Sequence, residues 1–259
     1  MFDYIEPITL ALIPGFLLLD FMVRSRKHET TRNWRLWGSL VTVGIFFFTG
    51  EVALFWGELF QGKSLIDSSG LGIAGGAAVG ILVYEFAHYW YHRAAHRWDW
   101  LWHAGHQMHH SAESLDAFGA YYLHPFDAFM FTTIGSLVLF PLLGLVPEAG
   151  AIAALFLTFN AMFQHANLKT PAWLGYIIQR PESHNIHHAR GLHRYNYADL
   201  PVIDMLFGTF RNAGSSIDLE CGFYNGASSR IPDMLIGRDV SAPKAQGRGK
   251  VVLTNSQAA

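Results

Sequence analysis

The chain has 259 residues, of which 51% are hydrophobic and only 15% charged, and its formal net charge is −2. That charge content lies well below the roughly 25% usual in soluble domains, and so weak a net charge excludes bulk electrostatic capture of nucleic acid or of an acidic ligand. Cys221 is the single cysteine, which excludes an internal disulfide, a cysteine-held iron–sulfur cluster and a cysteine-type zinc site, so any metal must be held by nitrogen or oxygen.

Two apolar stretches come first, residues 6–23 (EPITLALIPGFLLLDFMV) and 36–57 (LWGSLVTVGIFFFTGEVALFWG). Each approaches the roughly 20 residues that a helix needs to cross a bilayer. The first lacks a basic n-region and a small-residue cleavage site, so it reads as a retained span and not as a signal peptide. A third stretch, 69–91, carries Gly72, Gly76 and Gly80 on one helical face, which predicts close packing against a neighbouring helix. The fourth, 126–165, is too long for one crossing, and PLLGLVPEAG breaks it in the middle. It is expected to form a helical hairpin that enters and leaves on one side. The count is four to five crossings.

Arg24, Arg26, Lys27, Arg32 and Arg35 stand between the first two spans, whereas the next loop holds only Lys63. The positive-inside rule therefore makes the 24–35 loop cytoplasmic, together with the end of span three and both feet of the hairpin. The closing segment, SAPKAQGRGKVVLTNSQAA, is polar and aperiodic and is expected to be a flexible tail. The fold class is all-α: a multi-span integral membrane helical bundle with a histidine-rich cytoplasmic helical cap. One membrane-embedded domain occupies residues 1–211, and a C-terminal extension follows over 212–259.

Thirteen of the fourteen histidines fall between residues 88 and 193. His88, His92 and His96 recur every four residues and stack along one helical face. HQMHH (106–110) and HNIHH (184–188) repeat one spelling; at about 100° per residue, three imidazoles of each can point at one centre. His124 and His165 stand at the two feet of the hairpin, on the same side as the rest. His28, His103 and His193 read as packed or solvated. At least eight convergent imidazoles exceed what one metal with an open position takes, so two metals are expected. A b-type cytochrome and a non-redox metal-binding or transport protein are the competing readings. The first would place single histidines deep in facing spans and the second would mix carboxylates into them, so the di-metal site is preferred.

HRAAH (92–96), HQMHH and HNIHH resemble the H-x3-H, H-x2-HH, H-x2-HH boxes of the fatty acid hydroxylase superfamily, which includes sterol desaturases, sterol C-4 methyl oxidases and alkylglycerol monooxygenase. The likeness runs in order from about 81 to 211, through YWYHR, LHP (123–125), HANLKTP (165–171) and NYADLPVIDMLFGTF (196–210). It implies a membrane di-iron oxygenase that takes O₂ and two electrons to hydroxylate or desaturate a lipid. The boxes carry the ligand role onto His92, His96, His106, His109, His110, His184, His187 and His188, with His165 added from HANL. His124, Asn196 and Asp204 are expected as further ligands or as groups that orient ligands. Two departures stand out: Glu85 replaces the family's frequent Asp, and His88 stands where an aromatic residue is frequent. Each is expected as a further ligand or as a group beside the ligands, His88 also as a proton carrier or a polar residue that faces the site. No HPGG haem loop is present, and the resemblance implies a separate electron donor such as a ferredoxin, a cytochrome or a reductase.

Overall fold

The computed structural model describes residues 2–214 and 219–243. Among them the architecture is helical, with one isolated antiparallel bridge between Ala189 and Cys221. Helices α1 (Phe2–Met22), α2 (Trp34–Leu59) and α3 (Gly72–Arg97) lead into a bent segment made of α4 (Asp99–Leu101), a π-turn (Trp102–His106) and α5 (Gln107–His110). Helix α6 (Pro125–Leu137) continues through a second π-turn (Val138–Leu142) and is followed by α7 (Pro147–His165), α8 (Pro181–His187), α9 (Pro201–Leu206) and α10 (Ile231–Leu235). Proline opens α6, α7, α8 and α9, where its missing N–H would have had no helical partner and its fixed φ suits the first turn.

Among the described residues, three helices are long and apolar enough to cross a membrane: Trp34–Leu59, Ser69–Arg97 and Pro125–Leu142. The apolar part of α1, Pro7–Met22, is shorter, and α7 stands outside this set, with Asn160 and Gln164 buried along it. Phe21, Phe47 and Leu54 are among the large apolar side chains left exposed on α1 and α2, a surface that water would not tolerate and lipid would.

The glycine row behaves in two ways. A Cβ on Gly76 would stand 3.0 Å from the Ala149 Cβ, and one on Gly80 would stand 2.8 Å from Leu139 and Leu145 side-chain carbons, so these two let α3 close on the hairpin. Gly72 has open space around it and serves a different need, a left-handed φ of 64° at the start of α3.

The loop before α3 covers the hairpin tip through backbone bonds from Leu65 to Pro141, Ile66 to Leu142 and Ser68 to Leu143. At the opposite end, Asp20 accepts the backbone N–H groups of Ala117 and Asn167. Asn167 in turn holds Arg26 through both its backbone N–H and its carbonyl. The basic 24–35 loop thus shares one end with both feet of the hairpin. There Trp34, Met108, Phe118, Tyr122, Phe223, Met234 and Val240 form a core. The 219–243 part of the extension therefore packs into the cap, and Gln107 joins it to Arg238 and Val240. The expected tail lies, over 244–259, outside the described residues.

Candidate metal centre

Two groups of histidines occupy the cap, all of them buried except the half-buried His96. The first comprises His92, His96, His106, His110 and His187, the second His109, His165, His184 and His188, and within each group the ligand atoms lie within 4.8 Å of one another. These are the nine positions expected from the boxes and HANL. The two repeated boxes do not, however, each aim at one centre. HQMHH sends His106 and His110 to the first group and His109 to the second, whereas HNIHH sends His184 and His188 to the second and His187 to the first.

Helical geometry explains the split. Relative to residue i, position i+4 is turned by about +40° and position i+3 by about −60°. The i and i+4 rings therefore share a direction, and the i+3 ring leaves on the other side. Two boxes facing one another serve two centres, each giving a pair to one and a single ring to the other. The centres adjoin, since the His110 and His188 rings stack with centroids 4.1 Å apart.

Four of the grouped histidines have their other ring nitrogen tied to a backbone carbonyl or to Asp127, whereas the Nδ1 atoms of His109 and His184 are buried without a partner. His92 Nδ1 donates to the Tyr197 carbonyl at 2.6 Å, His187 Nδ1 to the Tyr195 carbonyl at 2.7 Å, and His165 Nδ1 to the Ala161 carbonyl at 2.7 Å. His106 Nδ1 donates to Asp127 at 2.8 Å. A proton fixed on Nδ1 leaves a lone pair on Nε2, facing inward. The Nε2 atoms of His92, His96 and His187 are buried without any hydrogen-bond partner. In the second group, the Nε2 of His165 lies 3.1 Å from those of both His109 and His184, and that of His188 lies 3.1 Å from His184. Lone pairs crowded at that distance repel, and a cation among them would satisfy all; the donor set fits a metal ion in each group. Burial first and neighbouring rings second hold His109, His110, His184, His187 and His188 well below the ordinary imidazole range. They are neutral at pH 7, the state that binds metal.

The remaining candidates take other places. Asn196, at a left-handed φ of 52°, donates to the Ser183 and Arg211 carbonyls and accepts the Arg211 N–H. Asp204 accepts the N–H groups of Tyr197 and Ala198. Their side chains bond to other partners than the grouped histidines, and together they fix the loop whose carbonyls hold His92 and His187. His124 stands apart from both groups: its Nδ1 caps α6 by accepting the Phe126 N–H, and its Nε2 reaches the Leu235 carbonyl. Glu85 and His88 meet Asp199 in a third buried cluster.

Sequence reasoning missed Asp127, which also accepts the Tyr91 hydroxyl; its place two residues after the His-Pro step of the hairpin foot was the available signal. It also missed His193, read as packed or solvated, whose Nδ1 lies 3.2 Å from that of His110. Nothing in a linear pattern marks the carbonyls of Tyr195 and Tyr197.

The model of the fatty acid hydroxylase family matches residues 77–209. Alkylglycerol monooxygenase of Danio rerio is 34% identical over 136 residues, covering 49% of this chain and 28% of that protein. Alkylglycerol monooxygenase of Homo sapiens is 33% identical over 138 residues, with the same coverage of 49% and 28%. Sphinganine C4-monooxygenase 1 of Arabidopsis thaliana is 28% identical over 134 residues, 50% of this chain and 52% of that protein. The matches thus span between about a quarter and a half of these relatives' lengths. No solved structure gives a significant match. The matched region contains every histidine of both groups, and the chain belongs to the fatty acid hydroxylase family.

Proposed function

We propose that the protein is a membrane-bound di-iron oxygenase that uses O₂ and two external electrons to hydroxylate, or desaturate, a C–H bond of a lipid such as a sterol or fatty-acyl lipid. The observation that carries this reading is the division of nine histidines, eight of them buried, into adjoining groups of five and four. Imidazole sets suit iron, copper and zinc. A hydrolytic zinc site manages with three ligands and a general base, which would leave most of these rings without a task. Two iron ions so held would supply the activation of O₂ and the oxidising power that an unactivated C–H bond requires.

The chain's own contribution is orientation and exclusion of water. Three backbone carbonyls and Asp127 hold the Nδ1 protons of His92, His106, His165 and His187, which turns their Nε2 atoms inward. Every grouped histidine but His96 is buried, so bulk water is kept from the centre. Phe131, on one of the apolar helices, meets the rings of His88, His92 and His106 edge-on. Phe159 instead packs with Phe16 and Phe163.

The lipid-directed names of the relatives favour a lipid substrate. The shared end of the centre and the basic 24–35 loop favours a cytoplasmic site, reached by a separate ferredoxin, cytochrome or reductase. Metal analysis of purified protein tests the reading. Two irons per chain are expected, with loss of metal in His109→Ala/His188→Ala; a haem absorption band, or iron content unchanged in that variant, would overturn it.

A further inference from the structure

Glu85, His88 and Asp199 form a third cluster with one ligand atom from each residue inside 4.8 Å. All three residues are buried, 0%, 7% and 6% exposed. Glu85 and His88 lie one turn apart on α3, within one of the membrane-length helices, and Asp199 arrives from the loop before α9. Ionisable groups at such a depth are costly and call for a compensating partner.

Part of each carboxylate is accounted for. Glu85 Oε2 accepts the backbone N–H groups of Asp199 and Leu200 at 2.9 and 3.1 Å. Asp199 Oδ1 accepts from the Gln164 amide at 2.8 Å. Glu85 Oε1 and His88 Nδ1 remain, each buried without a hydrogen-bond partner. Among the described residues neither carboxylate forms an ion pair with lysine or arginine. Two buried carboxylates facing one imidazole therefore lack a cation. A divalent ion would neutralise both and use the idle lone pairs of Glu85 and His88, while the bonds to Gln164 and to the backbone would orient the ligand oxygens.

The cluster is distinct from the two histidine groups in chemistry as well as in membership. Those groups are all imidazole, whereas this one supplies two carboxylates and one imidazole, a set suited to manganese, iron or zinc with open coordination positions. It also adjoins the first group, because the His88 and His92 rings stack with centroids 5.4 Å apart. The same short loop binds both, the Tyr197 carbonyl holding His92 and the N–H groups of Asp199 and Leu200 holding Glu85.

We infer that Glu85, His88 and Asp199 form a third metal site, which binds one divalent transition-metal ion beside the two histidine groups. The inference does not depend on the proposed oxygenase activity, because it concerns binding alone.

The test is metal stoichiometry of purified full-length protein loaded with Mn²⁺, read by mass spectrometry of the metal and by the electron paramagnetic resonance of free Mn²⁺ during titration. His88→Phe retains the aromatic packing against Tyr84 and Phe131, and Asp199→Asn retains the size of the side chain. Each variant is expected to bind one ion fewer than the wild type while keeping the metal of the histidine groups. His109→Ala/His188→Ala is expected to keep the third ion. Equal stoichiometry in the wild type and in folded His88→Phe and Asp199→Asn would overturn the third site and leave the oxygenase reading intact. Loss of ions only in the His109→Ala/His188→Ala variant would do the same.

Discussion

Asp127 makes the clearest case at the scale of single residues. Its carboxylate accepts both the His106 Nδ1 proton and the Tyr91 hydroxyl, and its side chain is fully buried. Partners of metal-binding histidines usually matter by about 10–100-fold in metal affinity or activity. Asp127→Asn is therefore expected to lower product formation by that factor, and Tyr91→Phe by less, in rate assays on folded protein. Equal rates for Asp127→Asn and the wild type would show that His106 needs no such anchor. The cap histidines also set a pH dependence. His109, His110, His184, His187 and His188 lie well below their ordinary range, and His193 is pushed down to about 4, in each case chiefly by burial. Their unfolded value is about 6.5, so below that pH the unfolded chain binds more protons than the folded one. Stability of the metal-free protein is thus full above about pH 6.5 and is lost as pH falls, by up to about 1.4 kcal/mol per unit for each histidine. Thermal unfolding in detergent should show a lower midpoint at about pH 5.5 than at about 7.5, whereas a flat profile would contradict neutral buried rings.

At the scale of elements, close approaches and one strained loop carry the site. A Cβ on Gly38 would stand 2.7 Å from the Phe118 carbonyl oxygen, so α2 lies against backbone that cannot swing aside. Gly38→Ala is expected to cost roughly 1–3 kcal/mol through overpacking, seen as a lower unfolding midpoint. The 195–197 loop turns through left-handed residues Tyr195 and Asn196 before presenting its carbonyls to His187 and His92. Asn196→Ala removes three hydrogen bonds and sets alanine at φ 52°. It is expected to cost about 2–4 kcal/mol and to weaken metal retention in the first group, by calorimetry and metal analysis. The sequence made the three helical boxes legible, because histidines at i, i+3 and i+4 are a pattern of a single turn. It did not reveal how the boxes divide, since that depends on two turns facing each other across the cap. His193 and the Tyr195 and Tyr197 carbonyls were illegible for the same reason: their roles arise from chain segments brought together by folding.

Over the whole molecule, charge and topology agree on one working end. The hairpin tip pairs with the loop before α3, while the basic loop, both hairpin feet and the two histidine groups gather at the other end. Hydropathy made this arrangement readable in advance, since apolar length and glycine–proline breaks are local properties. The packing of residues 219–243 into the cap was not readable, because Phe223, Met234 and Val240 are scattered among polar neighbours. Single-cysteine reporters at Lys63 and Lys27, in a Cys221→Ser background, should label from opposite sides of the membrane with an impermeant maleimide. Labelling from one side would refute the topology. The central claim is that two metals held by the divided boxes oxidise a lipid. Its most direct test compares, by mass spectrometry, lipid extracts from cells that express the wild type or His109→Ala/His188→Ala. A lipid changed by +16 or −2 mass units in the wild type and absent from the variant is the expected result; the same product from both, at equal yield and expression, would contradict it.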